Sequence, residues 1–148
     1  MRFQTRQVLE IADISGDTLR NWKKNLPPIS SVDGRSVQYT PGQLVGICAV
    51  AAVVKNIGLP ISRLAPEAEV IFDSIERYTL ERARNISMII TATKLYFDVD
   101  NSPVTDATFI IVKLNPIWDQ IQNAFLEADP RDIAQATMQF AQVEDEAP

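Results

Sequence analysis

The sequence contains no histidine and only one cysteine among its 148 residues. Histidine is the side chain used most often for general acid–base catalysis and is a frequent zinc ligand, so its absence argues against both kinds of site. The single cysteine, Cys48, excludes an internal disulfide and a cluster of thiolate metal ligands. It lies among Ile47, Ala49 and Val50, where we expect a small buried residue rather than a reactive thiol. No pair of carboxylates is placed for catalysis, so we expect no enzyme activity, no cofactor and no metal.

The chain also lacks a long uncharged apolar run. No stretch approaches the roughly 20 apolar residues that span a bilayer. The apolar segment 44–54 ends at Lys55, and residues 1–4 carry no apolar core of a signal peptide. We therefore expect no membrane association and a cytoplasmic location.

Negative charge predominates, but it is unevenly distributed. The net charge of the whole chain is −5. Residues 1–63 contain eight basic and four acidic side chains, a balance of +4, whereas residues 64–148 contain six basic and fifteen acidic ones, a balance of −9. This division fits a basic nucleic-acid surface attached to an acidic body, although ordinary variation between surfaces produces similar divisions.

The first quarter of the chain predicts two short helices joined by a tight turn. Thr5 can cap a helix over about residues 6–12, and Ser15 can cap a second helix that ends at about residue 24. In the second helix, Leu19 and Trp22 are three residues apart and are expected to face the core. Its other faces carry side chains able to contact phosphates or base edges, namely Arg20, Asn21, Lys23 and Lys24.

A hairpin and a third helix are predicted next. Pro27-Pro28 ends the second helix, and two strands, residues 29–32 and 35–39, are predicted around an Asp33-Gly34 turn. Thr40-Pro41 then begins a helix to about residue 56, because the threonine can act as a cap and proline suits the first helical position. A further short helix begins at about Ile61. Two helices, a hairpin and another helix form the plan of a winged helix-turn-helix, which places one helix in a DNA groove.

The second half of the chain is predicted to mix one helix with several strands. The predicted elements are a helix over residues 66–83, strands over 87–93, 95–99 and 107–113, a helix from Asn115-Pro116, and a weak helix over 131–142. The aromatic residues Tyr96, Phe97, Phe109 and Trp118 fit a core better than a ligand pocket. We therefore predict an α+β, mainly helical fold. It has a winged helix-turn-helix over residues 1–65, a helix plus strand-rich dimerisation or regulatory region over 66–142, and an acidic disordered tail over 143–148.

Three segments resemble the MerR family of winged-helix transcriptional regulators. Ile14-Ser15 followed by residues 18–22 (Thr-Leu-Arg-Asn-Trp) resembles the recognition helix of that family. Residues 39–44 resemble the junction of the wing and the third helix, and residues 57–64 resemble the Leu-Gly turn into a fourth helix. The resemblance covers residues 3–65 in order and spacing. It implies a bacterial or phage-encoded DNA-binding regulator associated with the nucleoid.

The resemblance also implies roles for individual residues. Thr18 and Arg20 would contact DNA, and Tyr39 would pack or contact phosphate at the base of the wing. The family usually has arginine just before this tyrosine, where the chain has Val37-Gln38, so Arg35 is expected to take over the phosphate contact. The complete set of expected DNA-contacting residues is Arg6, Ser15, Thr18, Arg20, Asn21, Lys23, Lys24, Arg35, Gln38 and Tyr39.

These expectations combine into one function and two alternatives. We expect a MerR-type, sequence-specific regulator that binds double-stranded DNA as a homodimeric repressor without metal sensing. Pairing is expected to involve helix 66–83 and strand edges between residues 87 and 113, and the acidic C-terminal half is a candidate surface for a protein partner. The alternatives are an excisionase or architectural factor of a phage or mobile element, which would bend DNA, and a protein-interaction module that has lost DNA binding.

Overall fold

The computed structural model describes residues 2–30, 38–80, 85–99 and 102–126. About 64% of these residues are helical, and their strands form small antiparallel sheets, so the predicted α+β, mainly helical class is confirmed. The chain divides into two units, residues 1–75 and 76–148. Within the described ranges, no helix combines the length and the apolar character needed to cross a membrane.

The first unit is built mainly from helices. Its elements are β1 (Phe3–Gln4), α1 (Thr5–Ala12), α2 (Gly16–Asn25), α3 (Pro27–Ser30), β2 (Gln38–Tyr39), α4 (Pro41–Ala51), α5 (Ile61–Leu64) and most of α6 (Ala68–Leu80). A π-helical stretch, Ala52–Ile57, continues α4, and a 3-10 turn, Ala65–Glu67, precedes α6. α1 packs against α4 and β2, whereas α2 contacts α3 and α5.

α1 and α2 lie where the sequence predicts them, with one correction at a cap. The residue that precedes α1 is Gln4 rather than Thr5, which is already helical; the Gln4 N–H donates to Gln7 Oε1 at 2.8 Å. Asp13 ends α1 in the left-handed region, with φ 54°. The predicted cap of α2 is confirmed, because Ser15 Oγ accepts the Thr18 N–H.

The predicted hairpin is wrong in its first strand. Ile29 and Ser30 belong to α3, since Pro27 and Pro28 end α2 and then occupy the first positions of another helix, where a missing N–H costs nothing. β2 pairs instead with β1, and Phe3 lies opposite Tyr39. The Asp33-Gly34 turn and Arg35 lie outside the described residues.

α4 is the central helix of the first unit, and residues 44–51 are all buried. Its predicted start is confirmed: Thr40 Oγ1 accepts the Gln43 N–H at 3.0 Å, and Gln43 Oε1 accepts the Thr40 N–H at 2.8 Å. Gly46 allows α6 to approach closely, because a Cβ at this position would lie 2.4 Å from Cε1 of Phe72. Gly58, with φ 84°, ends the π-helical stretch.

The second unit contains a three-stranded antiparallel sheet and a helix. The elements are β3 (Ser87–Thr91), β4 (Leu95–Asp98), β5 (Phe109–Lys113) and α7 (Leu114–Leu126), and the strand order is β4-β3-β5. All three predicted strands are confirmed with shorter bounds. α7 begins directly after β5, one residue before the predicted start. The predicted end of α6 at 81–83, the turn residues 100–101, the helix 131–142 and the tail 143–148 lie outside the described residues.

Candidate nucleic-acid interface

One face of α2 is a polar, exposed surface. We name it the α2 stripe, and it consists of Asp17, Arg20, Asn21 and Lys24. Spacing of i, i+3, i+4 and i+7 places these residues along one face of a helix with 3.6 residues per turn. Leu19 and Trp22, each 2% exposed, hold the opposite face in the core as predicted. The stripe therefore points away from the core and is available to a partner.

The N-terminal end of α2 is fixed by two hydroxyl groups. Ser15 Oγ accepts the backbone N–H of Thr18 at 3.1 Å and donates to Thr18 Oγ1 at 2.9 Å. Such a cap satisfies one of the N–H groups that a helix leaves unpaired at its start. Ser15 is exposed and Thr18 is half-buried, so both predicted contact residues lie at the edge of the α2 stripe while they stabilise the helix.

Arg20 is held by a neighbour on its own helix. Its Nη1 donates to Asp17 Oδ1 at 2.7 Å, and the two side chains are 72% and 90% exposed. An ion pair this exposed contributes little to stability, about 0–1 kcal/mol at most. Its main consequence is to restrict the guanidinium to one part of the α2 stripe. Asp17 is not among the contact residues predicted from the sequence, although the i, i+3 spacing of an acid and an arginine on a helix was a usable signal.

The remaining predicted contact residues differ in their accessibility. Arg6 on α1 and Gln38 on β2 are exposed, and Lys23 is half-buried on the flank of the α2 stripe. Tyr39 is 0% exposed, so its ring packs in the core beside β1. Arg35 falls in a range whose structure is not described.

A lysine of the π-helical stretch contacts the turn between α1 and α2. Lys55 Nζ donates to the backbone carbonyl of Asp13 and lies 3.1 Å from Asp13 Oδ2. A cation at the C-terminal end of a helix interacts favourably with its exposed carbonyls. The contact joins residues 42 positions apart, so no local sequence pattern predicts it. It assigns Lys55 a role in stabilising the turn that positions α2.

The buried cysteine has no chemical role in this surface. Cys48 is 6% exposed within α4, and burial raises the pKa of its thiol to about 12. The thiol therefore stays protonated near neutral pH and is a poor nucleophile and metal ligand. Across the part of the chain that the structure describes, no group of three or more His, Cys, Asp or Glu side chains is arranged to hold a metal ion.

The aromatic residues of the second unit are only partly in a core. Trp118 is 7% exposed, and the ring of Phe97 lies against that of Tyr78 with centroids 6.4 Å apart. The Nζ atom of Lys94 lies 5.0 Å from the ring centroid of Tyr96. Phe109 is different, because it is 41% exposed on an edge strand, and the expectation that it belongs to the core is wrong.

The α2 stripe, the Ser15 cap and the Lys55–Asp13 contact all belong to the first unit, residues 1–75. The cap and the Lys55–Asp13 contact fix the start of α2, and the α2 stripe presents Arg20, Lys24 and hydrogen-bonding side chains from that helix. In comparisons with known proteins, no family model, no curated protein and no solved structure matches the chain.

Proposed function

We propose that this chain is a sequence-specific regulator that binds double-stranded DNA through α2, as a MerR-type homodimeric repressor without metal sensing. The observation that supports the proposal is the α2 stripe, whose residues are exposed while the opposite face of the helix is anchored by Leu19 and Trp22. A helix with its side chains is about 10–12 Å wide and fits a major groove about 12 Å wide. From Asp17 to Lys24 the helix rises roughly 10 Å, which corresponds to about three base-pair steps.

The chemistry of the α2 stripe separates base contacts from phosphate contacts. Arg20 suits the two acceptors of guanine in the major groove, and Asn21 suits the paired donor and acceptor of adenine. Lys24 and the flanking Lys23 suit phosphates, which fix the position of a protein on DNA without selecting a sequence. Arg6 and Gln38 are exposed on neighbouring elements and extend the proposed contact surface.

In the free protein Asp17 holds the side chain of Arg20, and in the proposed complex a guanine takes the place of Asp17. An exposed ion pair is worth about 0–1 kcal/mol, whereas a good bidentate contact with guanine discriminates by about 1–3 kcal/mol. Arg20 therefore gains by leaving Asp17 for a guanine edge. A wrong base offers no such contact, so the guanidinium stays with Asp17 and the discrimination energy is not gained.

The proposed regulator acts as a dimer and represses. One recognition helix contacts only a few base pairs, so a useful operator requires two copies on a two-fold symmetric site. The MerR resemblance implies a long pairing helix in regulators that distort promoters for activation. In this chain only residues 65–86 lie between α5 and β3, which leaves no room for a long pairing helix and favours repression by occupancy.

The proposal is tested by selecting DNA sites from a pool of random duplexes and titrating the full chain onto the enriched site. Arg20→Ala is compared with Arg77→Ala, which removes the same charge from an exposed position on α6. We expect Arg20→Ala to raise Kd by roughly 5- to 150-fold, equivalent to about 1–3 kcal/mol, with Arg77→Ala close to wild type. Enrichment of no sequence, or equal effects of the two variants, would reject α2 as the recognition element.

The same titration at about 50 and 200 mM salt separates the alternatives. Binding to DNA that neutralises phosphates weakens steeply with salt. A protein-interaction module would show no such binding. An architectural factor would bind repeated sites and bend them strongly, which a gel assay with the site at different positions along the fragment detects.

A further inference from the structure

Among the described residues, the outer edge of β5 is unpaired and apolar. β5 is an edge strand of the sheet β4-β3-β5, and no strand within the described ranges pairs with its outer side. Phe109 and Ile111 on this strand are 41% and 45% exposed, and both are large hydrophobic residues. An edge strand of this kind is a template for pairing with another strand unless charge, proline or a bulge protects it.

The hydrogen bonds of the sheet determine which backbone groups of β5 face outward. The N–H of Leu114 donates to the carbonyl of Ile86 at 3.0 Å, and this pair lies one residue beyond the pair of Ser87 and Lys113. Leu114 therefore turns its backbone groups toward β3. In an antiparallel ladder, alternate residues turn their N–H and C=O groups to opposite sides. The residues two and four positions before Leu114 also face β3, and those between them face the open edge.

The outward-facing residues of β5 are therefore Phe109, Ile111 and Lys113. A second hydrogen bond supports this alternation, because the N–H of Thr91 donates to the carbonyl of Lys94 at 2.9 Å. Odd-numbered residues of β3 thus bond to β4, and even-numbered ones bond to β5, as the first bond requires. The open edge offers a regular row of donors and acceptors from three consecutive outward-facing positions.

We propose that β5 pairs with β5 of a second copy of this chain, antiparallel, with the two-fold axis at Ile111. In this register Ile111 faces Ile111 of the second copy, and Phe109 faces Lys113 of the second copy. The three outward residues of each strand then exchange about six N–H···O bonds, and the two sheets become one of six strands. The inference rests on the proposed function for its purpose, because a two-fold operator requires a dimer, but its test uses no DNA.

The chemistry of β5 favours a second copy as the partner. Lys113 is the only charged residue of the strand, and the two-fold axis places it opposite an aromatic ring, where a cation is attracted to the ring face. An axis at Lys113 would place two lysines opposite each other, and an axis at Phe109 would leave Ile111 without its counterpart. Centring on Ile111 pairs every residue of the five-residue strand within β5 itself.

The side chains continue across the proposed axis as one apolar row. Ile89 lies opposite Ile111 on one side and opposite Tyr96 on the other, so these three residues cross the sheet on one face. The two-fold axis adds the same three residues of the second copy in reverse order. Cross-strand apolar neighbours on one face are the main contribution to sheet stability, and the pairing covers the exposed side chain of Ile111.

Sedimentation equilibrium of the full chain without DNA tests the pairing. We expect wild type to have about 33 kDa, twice the chain mass of 16.5 kDa. Ile111→Lys and Ile111→Glu should each reduce this mass to that of a monomer, since each places like charges across the axis. An equimolar mixture of the two should restore the dimer. The matched control is Val99→Lys, because Val99 is 42% exposed but follows β4, and this variant should remain dimeric.

Cysteine cross-linking tests the register independently. In the proposed pair the two Ile111 Cα atoms are about 5.5 Å apart, within disulfide range, so Ile111→Cys should cross-link on mild oxidation. Two Lys113 residues are offset by four positions, roughly 14 Å, so Lys113→Cys should not cross-link. The buried Cys48 contributes no background.

Three results would overturn the pairing: a wild-type monomer, a dimer that persists in Ile111→Lys, or cross-linking of Lys113→Cys in place of Ile111→Cys. A wild-type monomer would leave the edge to a strand of another protein and reject the second copy. A dimer that binds no DNA would reject the proposed function alone, and a DNA-binding dimer that persists in Ile111→Lys would reject this inference alone.

Discussion

Substituting Gly46 by alanine tests whether the close approach of α4 and α6 is needed for stability. A Cβ at position 46 would lie 2.4 and 2.6 Å from Cε1 and Cδ1 of Phe72. Ordinary carbon–carbon contacts are about 3.5–4.0 Å, so the ring would have to move by roughly 1 Å. Phe72 is 3% exposed, and the ring cannot move into solvent without disturbing its neighbours.

Two opposing effects determine the sign of the change. Alanine is better than glycine in a helix interior by about 1 kcal/mol. Overpacking a filled core costs about 1–3 kcal/mol, and the ring's confinement places Gly46→Ala at the upper end of that range. We therefore expect a net loss of about 2 kcal/mol in the free energy of unfolding. For a unit of 75 residues this corresponds to a fall of roughly 8–15 °C in Tm.

Tryptophan fluorescence can follow the first unit alone. Trp22 belongs to the first unit and Trp118 to the second, so urea and thermal unfolding are measured in a Trp118→Phe background. Gly16→Ala is the matched control, because a Cβ there meets nothing nearer than Leu9 Cδ1 at 4.0 Å, and no loss is expected.

Enlarging the space around Gly46 tests whether the clash with Phe72 causes the expected loss of stability. In a Phe72→Leu background, Gly46→Ala should be much less destabilising, because the clashing ring atoms are absent. Such coupling between contacting residues is measured by a double-mutant cycle. If Gly46→Ala is as stable as wild type, or equally destabilising with leucine at position 72, the proposed clash is not what makes glycine necessary.

Three further predictions concern α2 and the buried thiol. Asp17→Ala should change stability by no more than about 0.5 kcal/mol and should raise DNA affinity by removing a carboxylate near phosphates; weaker binding would show that Asp17 must position Arg20. Ser15→Ala should lower the free energy of unfolding by about 1 kcal/mol through loss of the Thr18 N–H bond, and an unchanged Tm would argue against the cap. Because burial raises the pKa of Cys48 from 9.0 to about 12, the unfolded thiol ionises first, so this residue makes stability fall above pH 9 by up to about 1.4 kcal/mol per pH unit. In Cys48→Ala the free energy of unfolding should fall less steeply above pH 9. An unchanged pH profile would show that the Cys48 thiol does not cause the fall.

The starts of α2 and α4 were predictable because their signals are local. Ser15 and Thr40 each cap a helix through a bond to a residue three positions later, so the pattern is complete within four residues. The Pro27-Pro28 pair shows the limit of such signals. Proline ends one helix and equally suits the first position of another, and only the surrounding packing decides between these outcomes.

The strand partner of Tyr39 and the space at Gly46 could not be predicted in the same way. Tyr39 pairs with Phe3 across 36 positions, and the nearer candidate strand was preferred because short hairpins are the commonest connection. Gly46 is explained by Phe72, which lies 26 positions away in another helix. Neither glycine nor phenylalanine carries a signal of that contact in its own neighbourhood.

For the candidate DNA surface, residue spacing predicted the exposed face of α2. The count of charged residues, however, overestimated the positive charge of that face. The balance of +4 over residues 1–63 includes Lys55, which contacts Asp13, and Arg20, which contacts Asp17. The charged members of the α2 stripe are Asp17, Arg20 and Lys24, which sum to only +1. Each phosphate neutralised contributes about −0.9 to the slope of log K against log salt, so a single α2 can contribute only a shallow dependence and a weak electrostatic attraction. Useful affinity then has to come from two helices held at a fixed separation. Because a single α2 stripe attracts DNA only weakly, two copies are needed, and the β5 edge is the surface expected to join them.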